Sequence, residues 1–265
     1  MCTYDDLMSE VESAILILTK DKDFVFQQIN NLIVRIGYNP VRDGTKNIHD
    51  IYYDTMDDSL KKKKIALRIR VFDVNVYKIT LKAPKNISKN YTDRIEIEKS
   101  WSKKSFSDIM TELRSMGIKI DKDEVYYDKD PKKTFKNIGL KNIQNKQTIR
   151  EIVNAVNKDS GQVEFEFAVD DTMLLLDGDT KLSFSELEIE SKRERSVTKL
   201  DEFVDELTKD PRFRFWPFNK LETGIAVNYL FENDLLKQNI DYDKNNTLLI
   251  EGFNKIANLM KSEFN

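Results

Sequence analysis

Segments in which charged residues alternate with apolar ones recur along this chain, and they constrain its fold more than any other sequence feature. LRIR, ending at Arg70, and ITLK, ending at Lys82, belong to segments that place cations at alternate or nearly alternate positions. EVE, RIEIE, VEFEF and ELEIE place carboxylates in the same way. Because alternate residues of a β-strand point to the same face, each segment predicts a strand with one apolar and one charged face.

About eight strands are predicted, and the short connections between them favour a mostly antiparallel sheet. Period-two patterning defines the strands as Glu10–Leu18, Asp50–Asp54, Ile65–Phe72, Val76–Lys82, Asp93–Glu98, Thr148–Val156, Gln162–Asp170 and Phe184–Ser191.

Three amphipathic helices are predicted between these strands. The first starts at an aspartate and stops at Gly37, the second has Ser105 or Ser107 as its cap, and the third begins at Thr198. Each carries one apolar stripe, which must pack on an apolar face of the sheet. If the helices cover that face from outside, a closed or nearly closed sheet turns the charges inward. The alternative is an ordinary amphipathic sheet whose charged face is in water.

Composition excludes several classes of function. Lys and Arg total 43 against 46 Asp and Glu among 265 residues, a net charge of -3, so no global basic field indicates nucleic acid. The single cysteine, Cys2, excludes an internal disulfide framework and fits a reducing compartment. The single histidine, His49, leaves serine-protease and zinc-hydrolase chemistry without its usual groups. The acidic start lacks a signal-peptide layout, so we predict a cytoplasmic protein with no membrane partner.

The charged motifs follow one another in a definite order: EVE, YYDT, ALRIR, ITLK, RIEIE, Arg150, VEFEFAVD, ELEIE and the NK pair ending at Lys220. This series, over about residues 8–225, resembles the CYTH family, the triphosphate tunnel metalloenzymes. The family includes thiamine triphosphatases, inorganic triphosphatases and class IV adenylyl cyclases. The resemblance implies an α+β fold, an eight-stranded antiparallel β-barrel (tunnel) with a polar charged lumen and helices packed outside. We expect the inward face to carry Arg68, Arg70, Lys82, Glu96, Glu98, Arg150, Glu188 and Glu190.

We predict a tunnel domain over residues 1–225 and a C-terminal helical extension over residues 226–265. The stretch of about residues 121–147 is long and polar, and we interpret it as an insertion that serves as a lid, a partner site or a tolerated loop.

The first strand departs from the family signature Glu-x-Glu-x-Lys. Glu10 and Glu12 match it, but Ala14 stands at the lysine position. The resemblance implies that one phosphate-facing cation is missing, which bears on catalytic proficiency more than on fold. Either the role is lost or a neighbour such as Lys78 or Lys146 has taken it over.

A triphosphate spreads its negative charge along a chain, so its site needs several cations and usually a divalent metal ion. The candidate phosphate-binding residues are Arg68, Arg70, Lys78, Lys82, Arg94, Arg150 and Lys220. Carboxylate oxygens suit Mg²⁺ or Mn²⁺, and the candidate metal ligands are Glu10, Glu12, Glu190 and Glu188. Catalytic roles are predicted for Glu10, Glu12, Asp170 and Glu188. The resemblance implies that Asp170, Glu96 or Glu98 handles a second metal or the attacking water. Salt-bridge roles are expected first for Glu164 and Glu186.

The predicted function is divalent-metal-dependent hydrolysis of a small linear triphosphate, either inorganic tripolyphosphate or an organic one such as thiamine triphosphate. A class IV-type adenylyl cyclase would use the same metal and cations, but the sequence shows no decisive base-recognition motif. The third hypothesis is a non-catalytic module that binds triphosphate or polyphosphate, which Ala14 motivates. The sequence leaves the oligomeric state open.

Overall fold

The structure is a computed structural model that describes residues 8–72, 76–87, 92–120, 126–176, 180–193 and 198–263. In these ranges it is an α+β fold with nine strands and seven helices. The elements in chain order are β1 (Met8–Ile17), α1 (Lys22–Arg35), β2 (Tyr38–Asp54), α2 (Ser59–Lys62), β3 (Ala66–Phe72), β4 (Val76–Ile87), β5 (Thr92–Ser100), α3 (Lys103–Ser115), α4 (Pro131–Asn137), β6 (Lys141–Asn157), β7 (Val163–Leu175), β8 (Lys181–Ser191), α5 (Lys199–Leu207), β9 (Phe213–Phe215), α6 (Lys220–Glu232) and α7 (Ile250–Glu263). No helix of the described ranges has the length and apolar character needed to cross a membrane.

The strands form an antiparallel sheet in the order β5-β4-β3-β2-β6-β7-β8-β1-β9. The predicted antiparallel sheet is therefore confirmed, and β9 adds a short ninth strand that the sequence patterning did not reveal. It pairs with β1 through Ile15↔Phe215. Strands β2 and β6 begin well before their predicted starts, since the predicted ranges contain only their C-terminal parts. The added residues of β2 are mostly exposed on both faces, so they lack the alternation on which the prediction relied.

The helix boundaries test the predicted caps. Asp21 caps α1 by accepting a hydrogen bond from the Phe24 backbone N–H at 3.0 Å, and Gly37 follows with a φ of +92°, both as predicted. The predicted cap of α3 is wrong. Ser102 is the cap, and Ser105 lies three residues later as its partner in a capping box.

The chain divides into two compact units. The first contains Asn47–Ile87 and Asp93–Gln147 together with the residues up to Glu10. The second contains Val11–Lys46 and Thr148–Asn265 together with Ser88–Thr92.

In the first unit, α3 covers the apolar face of β3 and β4. Phe106 and Ile109 of α3 are buried in one cluster with Leu67 and Ile69 of β3. Because Arg68 lies between those two β3 residues in the sequence, its side chain is on the opposite face of the strand. The helix therefore covers the apolar face, as the alternating pattern predicted.

The stretch that we interpreted as a polar insertion contributes to this core. Residues 121–125 lie outside the described residues, but the remainder contains α4 and the start of β6. Phe135 of α4 is fully buried, and Ile138 and Leu140 join the cluster beneath α3. The ring of Phe135 packs edge-on against Tyr53 with centroids 4.6 Å apart.

In the second unit, helices cover both faces of the strands. Helices α1 and α5 bury Ile29 and Phe203 against Ile15 of β1 and its neighbours in β7 and β8. Leu16, the next residue of β1, belongs instead to a cluster with Trp216 and with residues of α6 and α7. Since Ile15 and Leu16 face opposite sides of the sheet, α6 and α7 pack on the face opposite to α1 and α5.

Candidate functional site

Asp50 on β2 is the centre of the charged face of the first unit. It is 1% exposed and stands directly opposite Arg70 in the β2–β3 register. Arg70 donates to its carboxylate through Nε at 2.7 Å and Nη2 at 2.9 Å. Arg68 Nη1 and Lys146 Nζ lie 3.6 and 3.7 Å from Asp50 Oδ2. We call Asp50, Arg68, Arg70 and Lys146 the Asp50 cluster.

These cations keep Asp50 ionised. Burial on its own would raise the pKa of Asp50, but Arg68 and Arg70 outweigh burial and lower it. Tyr52 is affected in the same way: its hydroxyl accepts a hydrogen bond from Arg68 at 3.5 Å, and the Lys146 ammonium lies 5.4 Å from its ring centroid. Burial would raise the pKa of Tyr52, yet the two cations lower it. The first unit therefore concentrates positive charge around one buried carboxylate.

Glu96 and Glu98 on β5 contact Lys78 and Lys82, and they also lie 3.5 and 3.7 Å from Arg68 Nη2. Lys78 Nζ lies 2.6 Å from Glu98 Oε1, and Lys82 Nζ lies 3.5 Å from Glu96 Oε1. Burial would raise the pKa of Glu98, but the hydrogen bond from Lys78 and the nearby arginines lower it. Arg94 is half-buried and lies on the same face of β5 as the two glutamates.

The second unit contains a compact cluster of three carboxylates and two cations, which we call the Lys220 cluster: Asp170, Glu186, Glu188, Arg150 and Lys220. One carboxylate oxygen from each acid lies within 4.8 Å of the others. Lys220 Nζ is 2.9 Å from Asp170 Oδ2 and also contacts Glu186 and Glu188. Arg150 donates to Asp170 through Nε at 2.8 Å and Nη2 at 2.6 Å, and Nη2 also contacts Glu188.

The start of α6 holds Lys220 in place. Asn219 caps the helix in a capping box with Glu222, and Lys220 is the first helical residue. The preceding segment is fixed on β1, because the Trp216 backbone N–H donates to the Ala14 carbonyl at 2.9 Å. The Trp216 indole N–H donates to Thr223 Oγ1 at 2.8 Å. Among the described residues, Lys220 is the only charged side chain of the first turn of α6 that contacts the three carboxylates. The capped start of the helix holds it in position.

Burial and the neighbouring charges both shift the pKa values of the Lys220 cluster. Burial raises the pKa of Glu186, with Lys220 acting in the opposite direction and Glu188 and Asp170 adding to the rise. Burial alone would lower the pKa of Lys220, but Asp170, Glu186 and Glu188 outweigh it and raise that pKa. Glu186 has the ion-pair role that we expected for it, since it contacts Lys220.

The strand registers arrange the charged face of the second unit in rows. Glu12, Glu190 and Glu166 stand side by side on β1, β8 and β7. From β1 through β8 to β7, the next row consists of Ala14, Glu188 and Ala168, and the row after it of Leu16, Glu186 and Asp170. Two predicted metal ligands, Glu12 and Glu190, are therefore direct neighbours, and Glu188 lies one row away. Glu10 belongs to β1, but its side chain lies outside the described residues.

Ala14 stands opposite Glu188, whose carboxylate contacts Lys220. Its side chain is partly buried against the apolar cluster under α6 and α7. Lys78 and Lys146, the residues expected to replace the missing lysine, both belong to the first unit. Among the described residues of the second unit, Lys220 and Arg150 both contact the Glu188 carboxylate that stands opposite Ala14.

The donor set fits a hard divalent cation. Glu12, Glu190 and Glu188 offer carboxylate oxygens on one face of neighbouring strands, and the three acids of the Lys220 cluster converge within 4.8 Å. Mg²⁺ and Mn²⁺ prefer such oxygen ligands and commonly keep several waters, so a partial set of protein carboxylates is sufficient.

Sequence reasoning did not assign a site role to Asp50, Tyr52, Glu166 or Lys192, and it named Lys146 only as a possible replacement for the missing lysine. Asp50 and Tyr52 lie at alternate positions of one strand, so the period-two rule was able to place them on the same face. Lys146 lies in the stretch interpreted as an insertion, and its burial depends on the unexpected length of β6. Lys192 continues the alternation of Glu186, Glu188 and Glu190 just beyond the last residue of β8, so the same rule could have placed it on the charged face.

Comparison with known proteins gives one family. The CYTH domain profile matches residues 25–214. No curated protein sequence matches the chain.

Among solved structures, a candidate adenylyl cyclase from Hippeastrum, HpAC1, reported to have a dominant triphosphatase activity, is 16% identical with a TM-score of 0.50. The similarity covers 86% of this chain and 97% of that one. A candidate adenylate cyclase from Bacillus halodurans is 19% identical with a TM-score of 0.47, covering 82% and 97% of the two chains. The PH1819 protein from Pyrococcus horikoshii is 21% identical with a TM-score of 0.45, covering 84% and 99%.

Proposed function

Because the chain belongs to the CYTH family, we propose that it is a divalent-metal-dependent hydrolase of a small linear triphosphate. The observation that carries this proposal is the Lys220 cluster, in which two cations and three carboxylates meet. Such a set offers positive charge for phosphate oxygens and hard oxygen ligands for a metal ion. The triphosphatase activity reported for HpAC1 supports hydrolysis over cyclisation.

We assign the metal, Mg²⁺ or Mn²⁺, to Glu12, Glu190 and Glu188, with Glu10 as a further ligand. Bound there, the ion would polarise a phosphoryl oxygen and neutralise charge that develops in the transition state. The register supports this set, because Glu12 faces Glu190 directly and Glu188 lies on the same face of β8.

Arg150 and Lys220 are assigned to phosphate oxygens. Asp170 accepts hydrogen bonds from Nε and Nη2 of Arg150. Arg150 would therefore donate to phosphate through Nη1, and not as a bidentate donor. In the first unit, Asp50 accepts hydrogen bonds from the same two nitrogens of Arg70. We propose phosphate-binding roles also for Arg68, Arg70, Lys78, Lys82 and Arg94. The first four would each exchange a carboxylate contact for a phosphate contact.

We assign proton acceptance to Glu188. The Glu188 and Asp170 carboxylates both contact Arg150 and Lys220, but the Glu188 side chain is 17% exposed whereas Asp170 is fully buried, so Glu188 is the one that water can reach. In the proposed step, a water oxygen bonds to the terminal phosphorus, Glu188 takes the proton, and the bridging P–O bond breaks to release diphosphate. Asp170 then acts as a positioning residue for Arg150 and Lys220.

We further propose that the sheet closes into the tunnel expected of the family. Strand β5 pairs with β1 in addition to β4, and this pairing supports closure.

The direct test is phosphate release from tripolyphosphate, thiamine triphosphate and ATP with Mg²⁺ or Mn²⁺, with cyclic AMP measured in parallel. We expect release of phosphate, no cyclic AMP, and loss of activity in excess chelator. Production of cyclic AMP would instead support the cyclase. Triphosphate binding without turnover would support a binding module.

Glu188→Gln tests the site assignment. Loss of the general base should lower kcat by a factor on the order of 100 to 10,000. The matched control is Glu206→Gln, which removes an exposed acid paired with Arg35 and Lys209 and should leave kcat unchanged. A Glu188→Gln variant with wild-type kcat contradicts the assignment.

A further inference from the structure

Three glutamates stand side by side in the row Glu12, Glu190 and Glu166 of the second unit. Like charges directly opposite on neighbouring strands repel one another. A row of this kind therefore needs a cation close to its oxygens in the folded protein.

Lys192 is a cation placed on this row. Its Nζ lies 2.6 Å from Glu190 Oε2 and 3.3 Å from Glu166 Oε2, so one ammonium bridges two neighbouring carboxylates. Its backbone N–H donates to the Glu164 carbonyl at 2.9 Å, which fixes the main chain beside β7. The side chain itself is 31% exposed and is carried on a flexible stem. The ammonium can therefore leave the row while the backbone stays in place.

We propose that Lys192 is an internal counter-ion that occupies part of the metal position and leaves it when the divalent ion binds, with Glu166 as an additional ligand of that ion. This inference rests on the proposed function, because it takes the metal to bind at Glu12 and Glu190. It adds a lysine that competes with the metal and a third carboxylate in the same row.

Displacement follows from the shared oxygen atoms. A metal ligated by Glu190 and Glu166 would use oxygens that Lys192 contacts, and an ammonium and a divalent ion held at adjacent positions repel strongly. Before metal binding, the lysine reduces repulsion within the row. After binding, the ion takes over that task. Lys192 therefore weakens metal binding while it stabilises the metal-free protein.

The test is Mn²⁺ binding to the full chain, measured by calorimetry and by the loss of the free-Mn²⁺ electron paramagnetic resonance signal. Lys192→Gln should tighten Mn²⁺ binding about tenfold, the size expected from releasing two partly exposed ion pairs of the lysine. Lys22→Gln is the matched control, since Lys22 also bridges two carboxylates of this unit, Glu151 at 2.8 Å and Asp171 at 2.7 Å. It should leave Mn²⁺ affinity unchanged.

The ligand role of Glu166 is tested in the Lys192→Gln background, where Glu166→Gln should reverse most of the gain in affinity. Unchanged or weaker Mn²⁺ binding by a folded Lys192→Gln protein overturns the counter-ion role while leaving the proposed function standing. Absence of Mn²⁺ binding in both wild type and Lys192→Gln overturns the proposed metal dependence as well. Circular dichroism of each variant separates these outcomes from failure to fold.

Discussion

Asp50→Asn should destabilise the protein strongly, because it removes the one carboxylate shared by three largely buried cations. Asp50 is 1% exposed, and the side chains of Arg68 and Lys146 are 9% and 2% exposed. Removing one partner of a buried ion pair costs about 3–5 kcal/mol, since the remaining charge is left without compensation. We expect a loss in this range, because the neutral amide removes the ion pair of Lys146 and the closest ion pair of Arg70, and Glu98, at 3.7 Å from Arg68 and 3.9 Å from Arg70, compensates only in part.

The assay is urea denaturation of wild type and Asp50→Asn across pH. The pKa of Asp50 is lowered in the folded protein, so its contribution is fully present above the unfolded pKa of about 3.9 and is lost as pH falls through the folded value. The stability difference between the two proteins should therefore be constant from pH 8 to about pH 5 and should diminish only in stronger acid.

Two further measurements sharpen this test. Asp210→Asn removes an exposed carboxylate paired with Arg212 and should change the unfolding midpoint little. Tripolyphosphate should recover part of the stability lost in Asp50→Asn, because phosphate oxygens can replace the missing carboxylate among the cations. A loss below about 1 kcal/mol at pH 7 would refute the reasoning, since it would mean that the three cations do not depend on Asp50.

Two other predictions concern Ala14 and Phe135. Ala14→Lys should lower kcat/KM for tripolyphosphate about tenfold. The new ammonium would lie opposite Glu188, which already contacts the ammonium of Lys220. A higher kcat/KM than wild type in steady-state kinetics would contradict this. Phe135→Ala should lower the free energy of unfolding by about 3–5 kcal/mol in urea denaturation, because the ring is fully buried. Tyr126→Ala, at a side chain that is 51% exposed, is its control, and equal losses in the two variants would argue against a core role for α4.

The alternating segments predicted the sheet because they report directly on local backbone geometry. In β3 the apolar residues Leu67 and Ile69 are buried under α3, and Arg68 and Arg70 meet Asp50 on the opposite face. The same alternation predicted that Glu186 and Glu188 share a face. Period two fixes which residues face together, and this holds whatever the tertiary context.

Other features depend on register and on distant segments, which alternation does not encode. The row of Glu12, Glu190 and Glu166 results from how three strands align, and a shift of one residue would have separated these side chains. Lys146 becomes buried because β6 starts at Lys141, in a segment without apolar periodicity. The start of α3 at Ser102 depended on a choice among several nearby serines that local sequence did not resolve.

Lys220 is synthesised after the three carboxylates that it contacts in the folded protein. Asp170, Glu186 and Glu188 precede it by 32 to 50 residues, and the strand that steadies it through Trp216 and Ala14 is near the opposite end of the sequence. Until Lys220 emerges from the ribosome, a nascent chain would have Arg150 as the sole cation of the cluster beside three acids. Native packing of the second unit must then wait until the segment around Lys220 has emerged, and it closes a loop of about 200 residues, which is a slow step in folding.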